Sequence, residues 1–194
     1  MSLFSAVRVC SGEILLDKVN IAGVSLSRLR SSLAIIPQDP VLFTGTVRFN
    51  LDPKSTVSDD EVWSILKIAQ LEELVRSLPQ QLDTMLANAG ESFSIGQKQL
   101  FCLARALVRK CRVLVMDEAT ASVDVETDQI IHDVVQRQLT DCTVIIIAHR
   151  LSTIRNCDVI VVLSDGRVVE MGPPDQLSTN AEGHFAKILA ENQL

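Results

Sequence analysis

The chain has 194 residues, an apolar fraction of 47% and a net charge of −6. This length suits one domain, and the apolar fraction is sufficient for a hydrophobic core, which excludes a chain disordered throughout. The acidic balance disfavours nucleic-acid binding, because nucleic-acid-binding surfaces carry a basic patch or stripe. Five scattered cysteines without a C-x-x-C pair favour reduced thiols in a cytosolic protein over disulfides or a metal site.

No apolar run reaches the roughly 18 residues that a membrane span requires, and no signal peptide is expected. Short β-rich runs alternate with helical patterns, which predicts βαβ units and a mostly parallel sheet. The predicted strands are Glu13–Leu16, Leu33–Ile36, Val113–Met116, Val144–Ala148, Val159–Leu163 and Val168–Glu170. The runs that start at Val113 and Val144 are apolar at every position, which is typical of strands covered on both faces. Ser164-Asp165-Gly166 joins the last two runs and favours a hairpin.

The stretch from residue 44 to residue 107 carries helical patterns and no convincing strand. Ser58, followed three residues later by Glu61, predicts a capping box at a helix start. Apolar residues with helical spacing follow in three groups, which are Val62, Ile65, Leu66 and Ala69, then Leu71, Leu74, Val75 and Leu78, then Leu100, Leu103, Ala104 and Leu107. The pattern therefore predicts a helical subdomain over 44–107, inserted into an α/β core of 1–43 and 108–194. A further core helix is expected around 124–139. Arg105 and Arg109 are expected on the solvated side of the helix that carries Leu100.

Two carboxylates follow the apolar strand that starts at Val113. Asp117 and Glu118 stand at its carboxyl end, where the ligands of open α/β folds bind. Asp117 suits Mg²⁺, which prefers oxygen ligands, and Glu118 suits the polarisation of an attacking water. Taken alone, the pair is explained as well by solvated carboxylates at a strand end.

A second candidate motif precedes the helix that carries Leu100. Ser94 is a natural N-cap, and Gly96 allows a backbone to approach a ligand closely. The free amides and the dipole of a helix N-terminus suit a phosphate group. An ordinary cap with a permissive glycine explains the same residues, so this motif alone is only suggestive.

The order of these motifs along the chain is more specific than any one of them. Together they resemble the ATP-binding cassette transporter family. The matching segments are a Q-loop at Gln38, a signature motif at Ser94–Gln99, a Walker B strand at Val113–Glu118, a D-loop at Ala121–Asp124 and a switch histidine at His149.

Finer details resemble the C subfamily of that family, the multidrug-resistance-associated group. They lie in Ile36–Phe43, Gly45–Pro53, Gln97–Ala106 and Asp117–Asp124. In that group the second nucleotide-binding domain usually keeps the Walker B glutamate, so Glu118 indicates a second domain. The resemblance covers nearly the whole chain from Gly12 onward. It implies the P-loop NTPase (RecA-like) fold, with ATP and Mg²⁺ as cofactors.

The resemblance also implies roles for individual residues and for partners. Two such domains hold two ATP molecules head to tail, and transmembrane domains complete the transporter, so the chain is expected at the cytoplasmic face of a membrane. No nucleic-acid partner is expected. The implied site residues are, as catalytic groups, Glu118, His149 and Gln38; as magnesium contacts, Asp117 and Gln38; and as nucleotide contacts, Ser94, Gly96, Gln97 and Asp124.

One motif of the family is absent from the sequence. A P-loop reads G-x-x-x-x-G-K-[ST], but no two glycines here are five residues apart and no glycine precedes a lysine. We therefore expect an N-terminally truncated domain that lacks the Walker A strand and loop. Because the loop amides and lysine supply most of the grip on the phosphates, such a chain alone is expected to be inactive. Its vacant sheet edge predicts poor solubility.

Two functions stay open on these grounds. The first is the ATPase module of a membrane exporter, present as a fragment. The second is a non-catalytic interaction fragment that pairs with another nucleotide-binding domain. A soluble cassette ATPase of chromosome or translation type is disfavoured, because such proteins usually carry coiled-coil insertions or paired cassettes.

Overall fold

The computed structural model describes residues 2–87, 90–117, 123–147, 154 and 156–191. The chain divides into two units, Met1–Ile147 and Ala148–Leu194. The strands of the first unit are β1 (Leu15–Leu16), β2 (Val19–Asn20), β3 (Leu33–Ile36), β4 (Gly45–Thr46), β5 (Met85–Leu86), β6 (Val113–Asp117) and β7 (Thr143–Ile147). Its α-helices are α1 (Leu26–Ser31), α2 (Val47–Leu51), α3 (Asp59–Ile68), α4 (Glu72–Arg76), α5 (Ile95–Arg109) and α6 (Val125–Gln138). The predicted strand Glu13–Leu16 is shorter than expected, since only its last two residues pair.

A three-stranded parallel sheet in the order β3-β6-β7 forms the centre of the first unit. The predicted α/β fold with a parallel sheet is therefore confirmed. β6 is paired along both edges, and Val113, Leu114 and Met116 are buried, as its continuous apolar run predicts.

The prediction that the run from Val144 is covered on both faces is wrong for the residues that the structure describes. Val144 and Ile146 pack against the core, whereas Ile145 is 44% exposed and Ile147 is 49% exposed. Ala148 lies outside the described residues. Ile145 and Ile147 alternate with Val144 and Ile146, so they lie on the face of β7 that points away from the core cluster.

The helical part of the first unit packs around α5. Phe101, Leu103 and Ala104 of α5 are 0% exposed, and they join one core cluster with residues of α2, α3, α4 and α6. α3 begins where predicted, because the Ser58 hydroxyl accepts a hydrogen bond from the amide of Glu61 at 3.3 Å.

The expectation that residues 44–107 contain no strand is wrong, because β4 and β5 pair antiparallel there. Each spans two residues, which is too short for a recognisable alternation of apolar and polar side chains. The subdomain boundaries at residues 44 and 107 stay a prediction.

The second unit contains the strands β8 (Ile160–Ser164) and β9 (Arg167–Gly172) and the helices α7 (Pro174–Thr179) and α8 (His184–Glu191). β8 and β9 form the predicted antiparallel hairpin. Asp165 and Gly166 make its turn with φ values of 49° and 72°, the left-handed conformation that tight hairpins require. A hydrogen bond joins the start of α8 to β9. The amide of Phe185 in α8 donates to a carboxylate oxygen of Glu170 in β9 at 2.7 Å.

Candidate functional site

Two predicted site residues lie at the carboxyl edge of the parallel sheet. Gln38 follows β3 by two residues, and Asp117 is the last residue of β6. Ile36 pairs with Met116 in parallel register, so the two segments leave the sheet at the same edge. The Gln38 side chain is exposed and Asp117 is half-buried.

The side-chain oxygen atoms that the structure describes at this edge are the type of ligand that Mg²⁺ accepts, and they do not form a closed metal site. An amide and a carboxylate are hard oxygen donors, and Mg²⁺ is usually held by one or two carboxylates while it keeps several waters and substrate phosphates. Among the residues that the structure describes, no group of three or more His, Cys, Asp or Glu side chains is arranged around a common point. Gln38 and Asp117 thus offer one amide oxygen and one carboxylate, which are hard oxygen donors.

The start of α5 is held by a closed capping box. The Ser94 hydroxyl oxygen accepts from the amide of Gln97 at 3.1 Å, and the Gln97 side-chain oxygen accepts from the amide of Ser94 at 3.0 Å. These bonds use a lone pair of the Ser94 oxygen and leave its hydrogen free to donate. Ser94 is exposed, so its hydroxyl can donate to an anion without disturbing the helix start.

Gly96 is buried against the start of α6. An added Cβ would lie 3.1 Å from the hydroxyl oxygen of Thr127 and 3.2 Å from a methyl carbon of Val123. Sequence reasoning assigned the close approach at Gly96 to a ligand, but in the structure the neighbour is α6. The absence of a side chain at Gly96 therefore lets the starts of two helices meet.

Asp124 caps α6 with both of its carboxylate oxygens. One oxygen accepts from the amide of Thr127 and the other from the Thr127 hydroxyl, each at 2.9 Å. The bond from the Thr127 amide, then that from its hydroxyl, holds the pKa of Asp124 below its ordinary value. Asp124 is thus charged at neutral pH and exposed to solvent, and its bonds from Thr127 hold the carboxylate at the start of α6.

Gln99 ends the predicted signature motif, but sequence reasoning gave it no role of its own. Its side chain is 1% exposed, and its amide nitrogen donates to the carbonyl oxygens of Pro37 at 2.9 Å and Gln38 at 3.1 Å. The signal in the sequence was a glutamine at helical spacing between Gly96 and Leu103, on the buried stripe of α5. The bonds of Gln99 connect the α5 motif with the segment that follows β3.

Glu118 and His149 lie outside the described residues, as do Ala121 and Ser122 of the predicted D-loop. Their predicted roles stay predictions. The predicted residues that the structure does place form two groups, which are Gln38 and Asp117 at the sheet edge, and Ser94, Gly96, Gln97 and Asp124 at the adjoining starts of α5 and α6.

Arg105 contradicts the expectation of a solvated arginine. Its guanidinium donates to the backbone oxygen of Asn50 at 2.6 Å, to the side-chain oxygen of Asn50 at 2.8 Å and to the backbone oxygen of Val41 at 2.7 Å. It also lies 5.3 Å from the centre of the Phe43 ring. Acceptors from the segment after β3 and from α2 converge on the planar guanidinium, so Arg105 is drawn into the structure rather than into water.

Arg105 forms one wall of an apolar groove of about 610 Å³. Further apolar side chains of the lining come from β3, from the segment that follows it, from α2 and from the second residue beyond α2, and they include Ile35, Phe43, Phe49, Leu51 and Pro53. Phe43 and Phe49 are each about half-exposed there, at 57% and 45%. Arg109 joins Arg105 on the α5 side, so the groove combines apolar walls with positive charge.

Comparison with known proteins adds to this geometry. The family model described as ABC transporter matches residues 1–121. The chain belongs to the ABC transporter family. It is 47% identical to multidrug resistance protein mrp-7 of Caenorhabditis elegans over 98% of its own length and 12% of that protein. It is 49% identical to ATP-binding cassette sub-family C member 2 of Homo sapiens over 90% of its own length and 11% of that protein.

A solved structure carries the same fold as this ABC transporter chain. The structure of a bacterial Atm1-family ABC exporter with ATP bound superposes with a TM-score of 0.91 at 36% identity, over 100% of this chain and 34% of the exporter chain. The predicted P-loop NTPase fold and the resemblance to the C subfamily are therefore confirmed. Within the described part of the chain, no helix has both the length and the apolar character needed to cross a bilayer.

Proposed function

We propose that this chain forms the larger part of a nucleotide-binding domain that powers export across a membrane. The observation that carries the proposal is the meeting of the two motif groups. Gln38 and Asp117 share one sheet edge, and Gln99 bonds the Gln38 segment to the helix that Ser94 caps. Ligands of open α/β sheets bind at this edge, and the exposed start of α5 suits a phosphate group of a second nucleotide.

ATP and Mg²⁺ are the ligands that this edge would hold. Asp117 and Gln38 would contact the ion and its waters, since both offer oxygen atoms. Bound ATP supplies the phosphoryl bond whose hydrolysis releases the free energy for transport. Glu118 would accept the proton of the attacking water, and His149 would hydrogen-bond the γ-phosphate.

A second nucleotide-binding domain is the partner that the start of α5 would serve. The sequence contains no P-loop, and Ser94 offers an exposed hydroxyl with a free hydrogen. We infer that Ser94 and the α5 amides near Gly96 and Gln97 complete a nucleotide site whose P-loop lies on the partner, head to tail. Asp124, exposed and charged beside them, would couple the two halves.

The transmembrane part of the exporter is the second partner, and the groove beside Arg105 is its proposed docking surface on the cytoplasmic face. The apolar walls suit an amphipathic helix. The positive charge of Arg105 and Arg109 suits a carboxylate near the end of that helix. A docked segment would contact the loop that follows β3, and so would act on the same loop as Gln38.

The test is ATP turnover by the purified native protein that carries this sequence, with ATP binding measured in parallel. We expect Glu118→Gln to abolish turnover and to leave ATP binding largely intact, because the change removes the base and not the phosphate contacts. Glu73→Gln is the matched control, since Glu73 is an exposed carboxylate in the first turn of α4. Near-normal turnover in Glu118→Gln would exclude Glu118 as the base.

The alternative is a non-catalytic fragment that pairs with another nucleotide-binding domain. This alternative applies to a native chain without a P-loop, a motif that these 194 residues do not contain. An antibody against the C-terminal segment would separate the two functions on a blot of membrane and soluble fractions. A membrane-bound band far larger than 21.3 kDa supports the exporter, and a band near that mass supports the fragment.

A further inference from the structure

We propose that Gln99 is a positioning residue for ATP turnover, which holds the backbone of Gln38 against the helix that carries Ser94. The inference rests on the proposed function, because the part of the reaction that it serves is the contact of Gln38 with the nucleotide-bound ion. Gln99 itself contacts neither the nucleotide nor the ion, and it acts through the loop that carries Gln38.

The contact is specific in its chemistry. A glutamine amide nitrogen has two hydrogens, and here each has a separate carbonyl acceptor, on Pro37 at 2.9 Å and on Gln38 at 3.1 Å. β3 ends at Ile36, so both carbonyls lie beyond the last residue that the sheet ladder pairs. The donor nitrogen belongs to a residue that follows Pro37 by 62 residues and Gln38 by 61 residues in the sequence. One side chain thus replaces the sheet as the partner of the loop.

The other end of the same side chain indicates why an amide is present. The side-chain oxygen of Gln99 is buried and has no hydrogen-bond partner among the described residues. A buried polar atom without a partner destabilises the fold, and a leucine or methionine on this stripe of α5 would avoid that cost. The carbonyl acceptors require that the nitrogen, not the oxygen, faces the loop. The two donated bonds are therefore the contribution that an apolar residue could not make.

The position of Gln99 on α5 links the two motif groups. Ser94 caps the helix, Gly96 packs on α6, and Gln99 follows in the second turn. The Gln38 side chain is exposed, so its placement depends on its backbone and not on packing of its own. Any displacement of α5 that accompanies contact of Ser94 with a nucleotide is transmitted to the Gln38 backbone through these two bonds. Such a coupling between sites is reciprocal in binding.

The test replaces Gln99 in the native protein that carries this sequence. Gln99→Met keeps the length of the side chain and removes both donors, and Gln99→Glu keeps its shape and replaces the nitrogen with oxygen. We expect kcat to fall roughly tenfold or more, because small displacements of positioned groups are costly in rate. We also expect a higher Mg²⁺ concentration for half-maximal turnover, with the KM for ATP changed much less. Deuterium uptake in a peptide that covers residues 37–43 should rise several-fold.

Leu103→Ala is the matched control for lost packing. Leu103 is fully buried on the same stripe of α5 and has no hydrogen bond to the loop, so this change should lower the melting temperature without the shift in Mg²⁺ dependence. Normal kcat and normal Mg²⁺ dependence in Gln99→Met would overturn the proposal. So would unchanged deuterium uptake over residues 37–43. Failure of the wild-type protein to bind or hydrolyse ATP would instead refute the proposed function, and the exchange experiment would still report on the contact itself.

Discussion

The start and the middle of α5 use polar side chains in different ways. At the start, Ser94 and Gln97 bond to each other's backbone within three residues, and Ser94 remains exposed. In the middle, Gln99 and Arg105 donate to carbonyl oxygens that are 55 to 64 residues away. Local bonds therefore shape a helix end that stays accessible to a ligand, whereas distant bonds fasten the loop after β3 to the helix.

This difference predicts that stability depends on the middle of α5 and ligand contact on its start. The largest effect is expected for Phe101→Ala, because the Phe101 ring is 0% exposed and packs 5.3 Å from the ring of Phe93. The free energy of unfolding should fall by about 3–5 kcal/mol, measured by urea denaturation. Phe49→Ala is the control at a half-exposed phenylalanine, and it should cost roughly 1 kcal/mol. Equal losses in the two variants would contradict the assignment of the core to this part of the helix.

The next effect is expected for Arg105→Met, which retains the apolar stem and removes the donors. The acceptor oxygens of Val41 and Asn50 would lose their partner, at a cost of about 1–3 kcal/mol in unfolding free energy. Arg109→Met, one turn later on the same helix, removes an exposed charge and should change stability by no more than about 0.5 kcal/mol. If both variants had the melting temperature of the wild type, the hydrogen bonds of Arg105 would not stabilise the loop that follows β3.

A smaller effect on stability is expected at the start of the helix. Ser94 and Ser58 are both exposed N-cap serines that accept a bond from the third residue of their helix, at 3.1 Å and 3.3 Å. Replacement of either by alanine should cost about 1 kcal/mol. Only Ser94→Ala should also weaken the ATP-dependent association of the native protein with its partner domain, because only Ser94 lies at the proposed nucleotide site.

Association can be followed by crosslinking with and without ATP. An equal loss of association in Ser94→Ala and Ser58→Ala would show that helix fraying, and not a nucleotide contact, is responsible. The pair of serines thus separates the two roles that the start of α5 combines.

Sequence reasoning predicted the local features of this comparison and missed the distant ones. The bounds of β3 and the caps at Ser58 and Ser94 follow from patterns within a few residues. The bonds of Gln99 and Arg105 depend on which segments meet in space, and apolar periodicity reports only which face of a helix is buried. The same limit explains β7, since a continuous apolar run does not reveal how many layers cover it.

The last prediction concerns the chemical reactivity of the residue that follows the C-cap of α5. Cys111 is buried, and its sulfur lies 3.8 Å from the sulfur of Cys142. Burial, together with the nearby Cys142 thiol, raises the pKa of Cys111 to about 12. Alkylation requires the thiolate, so in the native protein Cys111 should react with iodoacetamide very slowly near neutral pH. The rate should rise about tenfold per pH unit while the fold persists.

Cys10 provides the comparison within the same sample, because it is exposed and should be alkylated first. Peptide mass spectrometry after timed labelling would give both rates, and urea should bring the rate of Cys111 towards that of Cys10. Alkylation of the two cysteines at equal rates in the native protein would mean that the end of α5 opens readily. The distant bonds in the middle of the helix would then not extend their restraint to its last turn.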